Sequence, residues 1–96
     1  MAIVVQQTSL LPSADALTDA ELVSRALAGD RWSRDVLYRR HVSYLLAIAT
    51  RLLSSRIESE EVVQDAFVTG FEQLATLRDC AAFRSWLTRI TVSLVQ

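Results

Sequence analysis

The chain has 96 residues, which makes a single domain the natural reading. It is 51% hydrophobic and 22% charged, unlike a disordered chain, and 2 Gly and 1 Pro leave little material for the turns of a β-sandwich or barrel. The formal net charge of −1 argues on its own against nucleic-acid binding, although all 10 basic residues are Arg.

Residues 1–16 read as a flexible tail, with the folded domain spanning 17–96. Gln6, Gln7, Thr8, Ser9, Pro12, Ser13 and Asp15 interrupt any apolar period there. The run Ala2 to Val5 has no basic flank and is too short for a secretory signal. No stretch approaches the roughly 20 apolar residues of a membrane span. Cys80 is the only cysteine, so no internal disulfide forms, and the cytoplasm is the simplest compartment.

Thr18-Asp19-Ala20-Glu21 reads as a capping box. Leu22, Val23, Ala26 and Leu27 follow at helical spacing, and Gly29 suits a left-handed C-terminal cap. A long helix runs from near Ser33 to about Leu53. Its inward stripe is read as Val36, Leu37, Tyr44, Leu45, Ile48, Ala49, Leu52 and Leu53. Trp32 either packs at the junction of these two helices or stays exposed. Tyr38 and Tyr44 belong to the core edge, and His41 is expected to be solvated.

Ser59 is the expected cap of the next helix, with Glu60 and Glu61 in its first turn, where the helix dipole favours negative charge. The stripe Val63, Ala66, Phe67, Gly70, Phe71, Leu74 and Leu77 carries that helix to about Thr76. Gly70 costs about 1 kcal/mol against Ala in a helix and admits a close helix crossing. A loop, Arg78-Asp79-Cys80-Ala81, precedes a last helix whose apolar stripe is Phe83, Trp86, Leu87, Ile90 and Leu94. The fold class is all-α: a compact helical bundle of one short and three longer helices.

The net charge conceals blocks. Asp15, Asp19, Glu21 and Asp30 stand against Arg25. Arg31, Arg34, Arg39, Arg40, Arg51 and Arg56 stand against Asp35. Glu58, Glu60, Glu61, Asp65 and Glu72 then form an acidic segment, and Arg78, Arg84 and Arg89 stand against Asp79. Two readings remain open. Acidic and basic helices pair with each other at the surface, or each faces a different charged partner.

Four pieces in order make the pattern specific: L-T-D-A-E-L-V-S-R-A-L-A-G-D, V-L-Y-R-R-H, S-E-E-V-V-Q-D-A-F and A-F-R-S-W-L-T-R-I. The series resembles conserved region 2 of the extracytoplasmic-function (ECF) group of bacterial sigma factors, from about Leu17 to Leu94. The resemblance implies that Glu61, Gln64 and Asp65 bind core RNA polymerase, at the clamp helices of its largest subunits. It implies that the loop from about Leu77 to Ala82 holds a base flipped from the non-template strand of the promoter minus-ten element. Arg84 and Arg89 are then candidates for phosphate contacts, and Ser85, Thr88 and Ser93 for base or sugar contacts. Arg78 either reaches a phosphate or pairs with Asp79. An anti-sigma factor is the further partner the family implies.

The chain departs from the family pattern at Ser93, which stands where an Asn is usual and offers a hydroxyl in place of a bidentate amide. The second family domain, with its helix-turn-helix, is absent, and the uncapped stop after Leu94 is expected to reflect truncation. Basic content is low, so DNA binding by this segment alone is expected to be weak. No cofactor is implied: one His and one Cys make no zinc site. Nor does the chain carry a catalytic set, so no enzyme is expected. The alternative function is a single-domain module that binds polymerase or an anti-sigma factor without directing transcription.

Overall fold

The computed structural model describes residues 13–96. Most of the tail expected at 1–16 therefore lies outside the described residues. Ala14–Ala16 forms a 3-10 turn capped by Ser13. It is tied to the body by Arg40, whose guanidinium donates to the Ala14 and Leu17 carbonyls and pairs with Asp19 at 2.9 Å.

Helix α1 spans Asp19–Leu27, and its capping box is complete. The Thr18 N–H donates to Glu21 Oε1 at 2.8 Å, and the Glu21 N–H donates to Thr18 Oγ1 at 3.1 Å. The helix ends in a Schellman motif. Gly29 has φ +97°, and the N–H groups of Gly29 and Asp30 donate to the Ala26 and Arg25 carbonyls.

Helix α2 spans Arg31–Leu53, starting two residues before Ser33 because Asp30 is its N-cap. The Asp30 carboxylate accepts from the Trp32 N–H at 3.1 Å and from the Ser33 hydroxyl at 2.8 Å. The inward line is Ser33, Leu37, His41, Leu45 and Ala49, with Val36 beside it. Tyr44 and Leu52 are exposed, contrary to the apolar stripe read from sequence, and Ile48 and Leu53 are half-buried. A stripe drawn through apolar residues alone passes over Ser33 and His41, and so turns toward the wrong side of the helix.

Helix α3 spans Arg56–Glu72 and begins earlier than expected. Ser54 adopts the left-handed conformation, with φ 58°, and Ser55 is the N-cap, its hydroxyl accepting from the Glu58 N–H. Ser59 is not a cap. It is fully buried, and its hydroxyl donates to the Ser55 carbonyl at 2.7 Å inside the helix. Glu58 therefore lies in the first turn, and Glu60 and Glu61 in the second. The helix stops at Glu72, and the segment up to Thr76 is a separate 3-10 turn that buries Leu74.

Cys80–Ala82 is a further 3-10 turn, leading into helix α4, Phe83–Val95. The buried line of α4 is Phe83, Leu87 and Thr91. Leu94 is exposed, against expectation, and Thr91 takes an inward position with its hydroxyl donated to the Leu87 carbonyl at 2.8 Å.

The described residues are all-α, one short helix and three longer ones around one core. The pairs Tyr38–Phe67 and Arg34–Phe71 place α2 and α3 antiparallel. A string of aromatic contacts, Tyr38–Phe67–Phe71–Phe83–Trp86, joins α2, α3 and α4 at centroid separations of 4.8, 5.9, 6.4 and 6.1 Å. At Gly70 α3 and α4 meet closely: a Cβ at this position would lie 2.7 Å from Leu87 Cδ1.

Candidate docking face and nucleic-acid interface

On α3, Glu61, Gln64 and Asp65 are all exposed. Spacings of three and four residues put them on one face of the helix. Ile57 and Val68, 70% and 54% exposed, lie on the same face at either end of this group. The face is thus acidic and amide in its middle, with an apolar side chain at each end. The two apolar residues escaped the sequence reading, because isolated Ile and Val on a helix carry no signal until the buried side of that helix is known.

Among the described residues the ion pairs match an acidic against a basic helix at α1 and α2 alone. Arg40–Asp19 joins α2 to α1, and Arg25–Asp30, Arg39–Asp35 and Arg56–Glu60 are local. Among the described residues none joins α3 to α4. Among the described residues Glu61 and Asp65 have no ion-pair partner, and no α3 acid pairs with an Arg of α4.

The turn and α4 present the remaining candidates. Arg78 and Asp79 are exposed and make no ion pair with each other. Asp79 instead caps the Cys80–Ala82 turn, accepting from the Ala81 N–H at 3.1 Å. Cys80 is half-buried against the core. On α4, Ser85, Arg89 and Ser93 are exposed, and Thr88 is half-buried. The hydroxyls of Ser85, Thr88 and Ser93 donate to the carbonyls of Ala82, Arg84 and Ile90, at 3.1, 2.7 and 2.8 Å. In this arrangement their oxygens offer acceptors to a ligand, such as an exocyclic base amine.

Arg84 is held where Arg89 is free. Its Nε donates to His41 Nδ1 at 3.2 Å, and its guanidinium lies 3.9 Å above the Tyr44 ring centroid. His41 is 3% exposed, which overturns the expectation of a solvated position. On its other side, Nε2 is 2.8 Å from Asp19 Oδ2, an ion-pair distance without the alignment of a hydrogen bond. Sequence reading missed this cluster because its members lie far apart in the chain and no motif links them. Trp32, left open between burial and exposure, is half-buried, with the Arg25 guanidinium 5.4 Å from its ring centroid.

Among the described residues no His, Cys, Asp and Glu group is arranged to hold a metal ion, and no helix is long and apolar enough to cross a membrane.

The Sigma-70 region 2 family matches residues 37–96, and the chain belongs to that family. Its curated relatives place it in the ECF group. It is 36% identical over 76 residues to the ECF RNA polymerase sigma factor SigM of Mycobacterium tuberculosis, covering 79% of this chain and 39% of the relative. It is 34% identical over 80 residues to the ECF RNA polymerase sigma-E factor of Haemophilus influenzae, covering 83% and 42%. With the sigma-E factor of Escherichia coli K12 the identity is 33% over 79 residues, covering 82% and 41%. The chain thus spans about two fifths of the length of these relatives. No solved structure matches it.

Proposed function

We propose that this domain acts in transcription initiation, without catalysis of its own, by docking on core RNA polymerase through α3 and recognising and melting the promoter minus-ten element through α4 and the turn before it. The observation that carries this reading is the separation of charge. Among the described residues Glu61 and Asp65 on the α3 face have no ion-pair partner, while Arg78 and Arg89 stand exposed elsewhere. Free carboxylates and the Gln64 amide suit Arg and Gln side chains on a partner coiled coil, and Ile57 and Val68 supply apolar anchors at the ends of that face.

On the DNA side, the turn Leu77–Ala82 receives a base flipped from the non-template strand. Arg78, Arg84 and Arg89 contact phosphates, which position the strand, and Ser85, Thr88 and Ser93 contact base or sugar edges. An anti-sigma factor is the further partner on this reading, taking exposed apolar side chains of the same domain. The domain works where polymerase works, in the cytoplasm.

The test is a charge reversal. Glu61→Lys with Asp65→Lys leaves the helix content and melting temperature nearly unchanged, because both side chains are exposed and unpaired. Binding to purified core RNA polymerase falls by at least about a hundredfold, the scale of charge pairs turned repulsive at an interface. Unchanged affinity in that variant refutes the docking assignment.

A further inference from the structure

Arg84 differs from the other exposed Arg residues in how many of its groups are already engaged. Its Nε–H is donated to His41 Nδ1, and one face of its guanidinium lies on Tyr44. Its Nη1 and Nη2 groups have no partner among the described residues. A donor at Nδ1 requires the imidazole lone pair there, which puts the ring proton on Nε2, facing Asp19 Oδ2 at 2.8 Å. Asp19 is held in turn by Arg40 at 2.9 Å. The series Arg40–Asp19–His41–Arg84 thus links α2 to the start of α1, and through the buried imidazole of α2 to the exposed side of α4.

We propose that His41 is a positioning residue for nucleic-acid binding. With Tyr44 it fixes Arg84 so that the two Nη groups stand as a ready fork for a backbone phosphate of single-stranded DNA. This rests on the reading of α4 as the DNA-facing helix and adds to it the group that orients the contact. A free Arg loses rotamer freedom when it takes a phosphate; Arg84 has lost most of that freedom on folding. The arrangement also explains a polar side chain in a core position. An imidazole at 41 supplies an acceptor for Arg84 that Leu or Ala cannot. Arg84 is exposed, so the fork is open to a ligand.

The test is an NMR titration of the chain with a fluorescein-labelled single-stranded DNA oligonucleotide at low and moderate salt, with melting temperature recorded for each variant. In the unchanged chain the Arg84 Nε–H resonance is protected from exchange; His41→Ala abolishes that protection. Arg84→Ala lowers the slope of log affinity against log salt by about 0.7, the single-strand value for one lost phosphate contact. His41→Ala and Tyr44→Leu each weaken binding about fivefold, the scale of one lost hydrogen bond or stacking contact. His41→Asn, whose amide oxygen stands near the Nδ1 position, restores most of the affinity, which a general packing role does not predict. If His41→Ala fails to fold, Tyr44→Leu and His41→Asn still decide the matter. Weaker binding in Arg84→Ala with full affinity in Tyr44→Leu and His41→Ala overturns the positioning role alone. Unchanged binding in both Arg84→Ala and Arg89→Ala overturns the assignment of α4 to DNA, and the positioning role with it.

Discussion

Asp30 shows how much one side chain organises at the junction of α1 and α2. Its carboxylate caps α2 through the Trp32 N–H and accepts from the Ser33 hydroxyl and from Arg25 Nε. The Ser33 hydrogen bond holds its pKa below the usual carboxylate value, opposed by partial burial and reinforced by the Arg25 and Trp32 hydrogen bonds and the Arg25 charge. A folded pKa below the unfolded one means that Asp30 stabilises the protein above about pH 4, and that this contribution is lost as pH falls through the folded value. The melting temperature of the natural chain therefore drops on acidification below about pH 4 more steeply than that of Asp30→Asn, which keeps the cap and removes the titration. Identical acid slopes in the two proteins rule this out. At the other end of α1, Thr18→Ala removes the Oγ1 acceptor of the Glu21 N–H, leaves the residue-18 N–H on Glu21 Oε1, and costs about 1 kcal/mol in chemical denaturation. His41 is the residue at which sequence reading fails most clearly. A single His after Arg39 and Arg40 looks solvated until Asp19 and Arg84, the latter 43 residues away, are folded against it.

At the scale of elements, Gly70 carries the clearest prediction. In an open helix Gly→Ala stabilises by about 1 kcal/mol. Here the added methyl meets Leu87 Cδ1 at 2.7 Å, and Leu87 is fully buried, so it has little room to move. Gly70→Ala therefore destabilises by about 1–3 kcal/mol, the cost of overpacking. Pairing it with Leu87→Ala recovers part of that loss, a coupling measurable by a double-mutant cycle. The close crossing at Gly70 was legible from its place on the α3 stripe. The start of α3 was misread, although Ser55 and Glu58 present the Ser-x-x-Glu spacing of a capped start, because Ser59 ahead of two Glu residues looked the better cap. Only packing tells the two apart, since Ser59 lies against the core. The same limit applies to α2 and α4. Their helical character follows from periodicity, but the face each turns inward includes Ser33, His41 and Thr91, polar groups satisfied by partners that no periodicity reveals.

At the scale of the molecule, a net charge of −1 conceals blocks of opposite sign, and among the described residues no ion pair joins the acids of α3 to the Arg residues of α4. The acids of α3 and the Arg residues of the turn and α4 belong to different faces, so each can be altered without disturbing the other. Ile57→Ser with Val68→Ser removes the apolar ends of the α3 face. Both side chains are exposed, so stability stays within about 0.5 kcal/mol of the natural chain. Core polymerase binding weakens by about tenfold or more, as expected when interface anchors are lost. In the same assay Arg84→Ala with Arg89→Ala holds polymerase at full affinity. Its complex loses capture of single-stranded minus-ten DNA, and the binding that remains depends less steeply on salt, because fewer phosphate contacts hold the strand. On the proposed reading the free chain, with few exposed Arg residues on this side, is expected to bind DNA weakly and to need polymerase to keep the strand against α4. If the two variants instead lose polymerase and DNA binding together, the faces are not independent and the charge separation is not the organising feature of the domain.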